Sequence, residues 1–297
     1  LNATERAAVE GYLAVKWGVS TPPTASNADA QSWINRVYAN GGTVSTSTAT
    51  AVNDFCNAID AAGLRDRFYR LNLFAGTGLA ACLVPLYRGQ SLGGTQFGGT
   101  TDTNVNFAAG DYVETGSTGG LKGNGTSKYL DTGFAASALT PSSAHAAAYA
   151  ETLTVDTTAN KALLLAHSSF GGIYGIVTRD GGNLAVNFGY AGLPTSARTD
   201  PIPPASSGML LSSATSTTDL RFFHNGSQTF LRTEARNEAA LSTRPVFVFG
   251  ANQSGSPGVY TAARLRAYSC GLGMTAAQAS AYNTAMQAFQ TALTRNV

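Results

Sequence analysis

Charge is scarce in this chain: Asp, Glu, Lys and Arg make up 12% of 297 residues, about half the ordinary share. The formal net charge is only +2 and no Lys/Arg cluster is visible, which argues against polynucleotide binding. Cysteine is nearly absent. Cys56, Cys82 and Cys270 show no CxxC or Cys/His spacing, so no zinc site is expected. Cys56 falls on the apolar stripe of a predicted helix and reads as a small buried hydrophobe, while a Cys56–Cys82 disulfide stays open. The three histidines, His145, His167 and His224, are far apart and have no ligand spacing. No apolar run reaches the length of a membrane span, no secretory leader is recognisable, and no dense Asp/Asn loop suits calcium. The expectation is a chain with no cofactor and no metal, not inserted in a membrane.

What the chain has instead is 33 glycines, many small and hydroxylated residues, and 43% apolar content. That apolar content is periodic, which opposes disorder and favours tightly turned β structure. The length allows two domains, or one large β domain with a helical companion, and suffices to bury a core without metals or disulfides.

Two capped helical patterns stand at opposite ends. Near the start, Asn2 and Glu5 form the signature of a reciprocal capping box, followed by Val9, Leu13 and Trp17 at helical spacing. Near the end, Thr275 and Gln278 repeat the box, followed by Tyr282, Met286, Phe289 and Leu293. The second helix closes a strand-rich region. By analogy, and with no initiator Met, residues 1–19 read as the closing helix of an upstream domain, joined by the proline-bearing linker 20–26.

Residues 27–86 read as a helical adaptor. Asp29 to Tyr38 carries Trp33, Ile34 and Val37 on one side and ends at Asn40-Gly41-Gly42, and Ser47 to Ala62 places Val52, Phe55, Cys56 and Ile59 together before Gly63. Residues 64–86 read as short helical turns around Phe68, Leu71, Phe74 and Leu83. An adaptor role predicts that Trp33 or Phe55 is buried against residues outside the segment. From residue 87 the period becomes two. Strands are expected at Lys128 to Thr132, Ala144 to Thr152, Lys161 to Ala166, Gly172 to Thr178, Asn183 to Tyr190, Gly208 to Ser213, Leu220 to His224, Ser227 to Arg232, Pro245 to Gly250 and Ala262 to Ser269. Asn225-Gly226 between two apolar runs predicts a two-residue hairpin with a type I′ turn. The fold class expected is mainly β: an antiparallel sandwich over 87–297, preceded by the helical segment and closed by a helix.

Gly119-Gly-Leu-Lys-Gly-Asn-Gly-Thr-Ser-Lys-Tyr-Leu-Asp-Thr-Gly133, the Phe222-His-Asn-Gly hairpin, Val246-Phe-Val-Phe-Gly250 and the terminal helix resemble the concanavalin A-like, laminin G-like jelly-roll family. Tyr12-Leu-Ala-Val-Lys-Trp17-Gly also resembles the ending of such a domain. More narrowly, Asp29-Ala-Gln-Ser-Trp-Ile-Asn-Arg-Val, Ala51-Val-Asn-Asp, the Gly125-Thr, Tyr129 and Asp131-Thr-Gly elements, and Phe289-Gln-Thr-Ala-Leu-Thr-Arg295 are similar to a recurrent segment of tailed-bacteriophage virion proteins. That resemblance runs from about residue 27 to the end. It implies a tail, fibre or capsid-surface protein, located in the virion and assembled in the bacterial cytoplasm, with other virion subunits as partners and a homo-oligomer as its state.

Glycoside hydrolases of jelly-roll form carry paired carboxylates, as in Glu-x-Asp-x-x-Glu along a strand. No such triplet occurs. Glu114, Asp131, Glu151, Asp180, Asp219 and Glu234 are scattered, and Asp131 reads as a strand-end residue tied to backbone. No G-x-S-x-G elbow follows a strand, and the glycine pairs 93–94 and 98–99 lack the setting of a phosphate cradle. The expectation is therefore a non-enzymatic protein acting through subunit packing and surface display. The alternative is a carbohydrate-binding adhesin or receptor-binding module directed at a host surface glycan. The long connection Ala191 to Ser207, with four prolines, is then the loop suited to recognition: Tyr190 at its base to stack on a sugar, with Arg198 and Asp200 as contacts. Packing of that loop on a neighbouring subunit explains the same residues.

Overall fold

The computed structural model describes residues 2, 5, 9, 12, 13, 16, 21–154, 160–168, 171–179, 183–188, 199–201, 205–233, 235 and 239–297. Its helices are α1 (Ala28–Ala39), α2 (Thr46–Ala61), α3 (Gly78–Cys82) and α4 (Ala276–Ala292). The strands are β1 (Phe68–Asn72), β2 (Thr103–Val105), β3 (Tyr112–Val113), β4 (Gly120–Lys122), β5 (Tyr129–Ala135), β6 (Ala144–Thr154), β7 (Lys161–Ser168), β8 (Gly171–Arg179) and β9 (Asn183–Phe188). They continue as β10 (Thr199–Pro201), β11 (Ala205–Ser216), β12 (Asp219–His224), β13 (Ser227–Arg232), β14 (Pro245–Val248), β15 (Ala251–Gln253), β16 (Ser256–Gly258) and β17 (Arg264–Gly271). The first sheet runs β13-β12-β11-β6-β17-β4-β3, with β1 also paired to β17. The second runs β10-β9-β8-β7-β14-β5-β2, with the β15-β16 ribbon beside β7.

The central strands of the first sheet are buried on both faces, and alternation assigns their side chains to two cores. Ala146, Ala148 and Ala150 of β6 join Leu210, Phe222 and Leu265 in the core between the sheets. Their neighbours Ala147, Tyr149, Met209, Leu211, Phe223 and Ala267 face the other way, onto a helical layer. That layer is built by Trp33, Ile34 and Val37 of α1, Val52, Phe55 and Ile59 of α2, and Tyr282, Met286 and Phe289 of α4. Phe55, 2% exposed, meets Phe289 edge-on at 5.8 Å, so α2 is packed onto the terminal helix. Trp33 is also buried, but its indole N–H donates to the Val84 carbonyl inside the segment.

Local signals are realised where they are strongest. The ten expected strands are present; the end of the one expected to reach Tyr190 lies outside the described residues. Asn225 and Gly226 have φ of 50° and 77°, as a type I′ turn requires. Both capping boxes form: Glu5 N–H donates to Asn2 Oδ1 at 2.9 Å, and Gln278 N–H donates to the Thr275 hydroxyl. The three cysteines are free and buried, so no Cys56–Cys82 bridge joins them.

One expectation is corrected. Residues 64–86 do not form only helical turns, because Phe68–Asn72 is a strand antiparallel to β17 in the first sheet. The three-residue spacing of Phe68 and Leu71 mimics a helix. The strand is instead imposed by long-range pairing, and its polar members Arg70 and Asn72, 0% and 1% exposed, find buried partners there.

Candidate functional site

The two sheets differ in what covers them. The helices lie on the first sheet, whereas among the described residues the apolar cluster on the outer face of the second, Ala162, Leu165, Val177 and Ala251, includes no helical member. Strand alternation on β5 turns Leu130, Thr132 and Phe134 inward and places Tyr129, Asp131 and Gly133 on that outer face. Phe247 of β14 stands opposite Asp131, and Thr103 of β2 flanks it on the other side.

An aromatic group forms at this end. The Tyr129 ring lies 4.5 Å from Phe247 and 6.2 Å from Tyr260, centroid to centroid. Phe247 is buried and backs Tyr129; Tyr129 and Tyr260 stay partly exposed. Along the strand, Gly133 meets the glycines of a neighbouring loop: a Cβ there would stand 3.2 Å from Gly98 Cα and from Gly99 N. The strip thus passes from aromatic rings through a carboxylate to a close glycine–glycine backbone contact.

Asp131 Oδ1 accepts the Gly133 N–H at 2.8 Å; among the described residues its other oxygen takes no hydrogen bond and no cation pairs with it. The backbone tie matches the sequence expectation, although Asp131 sits inside β5 and not at its end. Partial burial raises its pKa and Asp102 adds to the rise, against the Gly133 N–H and the Arg70 charge, which lower it. Burial raises the Tyr129 pKa too, followed by Tyr260 and then Asp131. Lys128, the adjacent cation, is held by Asp111 at 2.5 Å. An aromatic face beside an acceptor-only carboxylate suits a ring with C–H groups on one face and hydroxyls on its edge.

Two other polar constellations lie fully buried. His145 bonds Leu272 O through Nδ1 at 2.7 Å and Ser269 Oγ through Nε2 at 3.0 Å, and Tyr282 OH donates to the same serine. Arg70, Asp102, Tyr268 and Asn72 form the second: Arg70 Nη2 donates to Asp102 Oδ1 at 2.6 Å, Tyr268 OH donates to the same carboxylate, and Asn72 Nδ2 reaches Oδ2 at 2.8 Å. With exposures of 0–1% these groups are closed to substrate and work as structural ties.

Of the residues singled out for glycan contact, Tyr190 and Arg198 lie outside the described residues. Asp200 is on β10, opposite Leu184 at the far edge of the second sheet. Five strand steps separate β10 from β5, roughly 24 Å, so Asp200 and Asp131 do not share one site. Tyr129, Phe247 and Tyr260 were not picked out as contacts by sequence reasoning. The signal was the alternation in Tyr-Leu-Asp-Thr-Gly, which puts Tyr129 and Asp131 on one face, but only sheet order brings Phe247 and Tyr260 to them.

No protein-family model matches this chain, and no curated protein does. Among solved structures the chain is similar to a NanB sialidase from Streptococcus pneumoniae at 14% identity and TM-score 0.38, covering 53% of this chain and 26% of that one. A mutant of Trypanosoma rangeli sialidase displaying trans-sialidase activity matches at 10% identity and TM-score 0.46, covering 78% and 38%. The Ruminococcus gnavus IT-sialidase CBM40 matches at 11% and 0.39, covering 54% and 96%. The chain thus spans about a quarter to two fifths of the sialidases it matches. The fold is a mainly β sandwich of two sheets with a helical layer and a terminal helix. The expectation that the chain is not an enzyme is corrected by these matches, since sialidases are among the structures it is similar to. The physical reason is that a linear carboxylate triplet is too narrow a test, because glycosidases exist that dispense with the carboxylate pair. Similarity at this level transfers no activity to the chain.

Proposed function

We propose that this chain is a carbohydrate-recognising display module of a bacteriophage particle. The observation that carries the recognition part is the strip of Tyr129, Tyr260 and Asp131 on the outer face of the second sheet, whose apolar cluster includes no helical member among the described residues. Ordered rings lose little side-chain freedom on binding, and the strand scaffold holds ring and carboxylate at fixed spacing. Placement in a particle is supported by the sequence resemblance of residues 27–297 to virion segments. Screening the purified chain against bacterial surface glycans tests the reading. At least one class is expected to bind, and Tyr129→Ala is expected to weaken it about tenfold or more with an unchanged thermal midpoint. Absence of binding, or binding indifferent to Tyr129→Ala, overturns it.

A second reading, a particle subunit acting through packing, is favoured by the N-terminal helical residues Val9, Tyr12 and Leu13, which are 45%, 61% and 44% exposed on one stripe. Light scattering separates the two readings. A defined oligomer whose mass ignores glycan supports packing, and a monomer that binds glycan supports recognition.

A further inference from the structure

The backbone beside the aromatic group is held in an unfavourable conformation. Val259, immediately before Tyr260, has a φ of 52°, and Phe249, two residues after Phe247, has a φ of 69°. A β-branched residue at such an angle is an outlier, and it persists only where its surroundings over-determine it. The Val259 carbonyl accepts the Ala162 N–H at 2.9 Å, and its side chain packs on the outer apolar cluster of the second sheet. On the other side of Tyr260, Thr261 donates its N–H to the Phe249 carbonyl at 3.1 Å and accepts from Gly125. Phe249 is anchored in turn by its N–H on Leu163 O at 2.8 Å and by its buried ring, 5.1 Å from Phe107. Tyr260 is thus clamped through the main chain on both sides while its ring stays partly exposed.

Gly250 completes the seat. Its φ is not left-handed, so the backbone itself does not demand glycine. The space does: a Cβ there would stand 3.2 Å from Tyr260 Cδ1, 3.3 Å from Gly258 O and 3.6 Å from Tyr129 Cβ. The two tyrosines meet over a position that glycine alone leaves empty.

We propose that Val259 and Gly250 are positioning residues of the carbohydrate face, which fix Tyr260 against Tyr129 so that a sugar meets a two-ring platform set before it arrives. The proposal rests on the recognition reading above and assigns the residues that preorganise its site. A ring already ordered loses no further freedom when the sugar docks, which gives the disfavoured angle at Val259 a function.

The test is calorimetric titration of the full chain with lactose, maltotriose, mannotriose and a bacterial O-antigen oligosaccharide, followed on whichever binds the unaltered chain most tightly. Gly250→Ala displaces the Tyr260 ring and is expected to weaken binding about fivefold, with a thermal midpoint within about 2 °C of the unaltered chain. In a Tyr260→Ala background, which keeps the Tyr129 contact, the same change is expected to have no further effect, because it acts through that ring. Val259→Pro, which forbids the left-handed angle, is expected to lose binding, and Val259→Gly, which permits it, to restore it. A Gly250→Ala chain with unchanged affinity, an equal loss when Tyr260 is absent, or a Val259→Gly chain as weak as Val259→Pro overturns the positioning assignment and leaves the recognition reading standing. Failure of every sugar to bind overturns both.

Discussion

Asp102→Asn is expected to destabilise the protein by about 3–5 kcal/mol, the typical cost of removing one partner from a buried ion pair. Asp102 is 1% exposed and takes Arg70 Nε at 2.9 Å, Arg70 Nη2 at 2.6 Å, Tyr268 OH at 2.7 Å and Asn72 Nδ2 at 2.8 Å. Burial pulls the Arg70 pKa down and Asp102 more than reverses that. An arginine is not deprotonated in a protein, so the guanidinium stays charged when Asp102 is replaced. The neutral amide then leaves a cation in the core with only neutral acceptors to hold it: the amide's own oxygen, the Tyr268 hydroxyl at 3.2 Å, and the Phe97 and Gly99 carbonyls at 2.8 and 3.2 Å. A fall in thermal midpoint of roughly 5–8 °C is expected for a chain of this size. The double change Arg70→Met with Asp102→Leu is expected to cost less than Asp102→Asn alone, because no charge is stranded. A midpoint unchanged by Asp102→Asn contradicts this account.

Acidification from pH 7 to pH 5 is expected to remove on the order of 2 kcal/mol of stability through His145 alone. Burial lowers the pKa of this imidazole from 6.5 to about 4, against a raising contribution from the Leu272 carbonyl. Below pH 6.5 the unfolded chain takes up a proton that the folded chain refuses until about pH 4, so stability rises with pH across that window and is lost as pH falls through it. The neutral ring is held by donation from Nδ1 to Leu272 O and acceptance at Nε2 from Ser269, and protonation destroys the second bond. Urea midpoints of the native chain and of His145→Gln, whose amide still reaches for the Leu272 carbonyl, provide the check. The variant is expected to be less stable at pH 7 and flatter between pH 7 and pH 5. Equal slopes exclude His145 as the source.

The sequence by itself determined the local elements. Caps, turns and strands depend on residues a few positions apart: Thr275 with Gln278, Asn225 with Gly226, and the period-two runs that became β6, β11 and β17. It also legislated a face, since alternation sets Tyr129, Asp131 and Gly133 against Leu130, Thr132 and Phe134 before any partner strand is known. Tertiary structure alone decided the rest. Phe68–Asn72 became a strand because β17, some two hundred positions later, offered an edge, and Arg70 is tolerable there only because Asp102 and Tyr268 arrive from elsewhere. The candidate site follows the same logic. Phe247 and Tyr260 reach Tyr129 through sheet order and a loop, and among the described residues the helices bury their apolar stripes on the other sheet. Propensity and pattern act over a few residues, whereas a site is an intersection of distant segments whose meeting is set by burial and register of the whole chain.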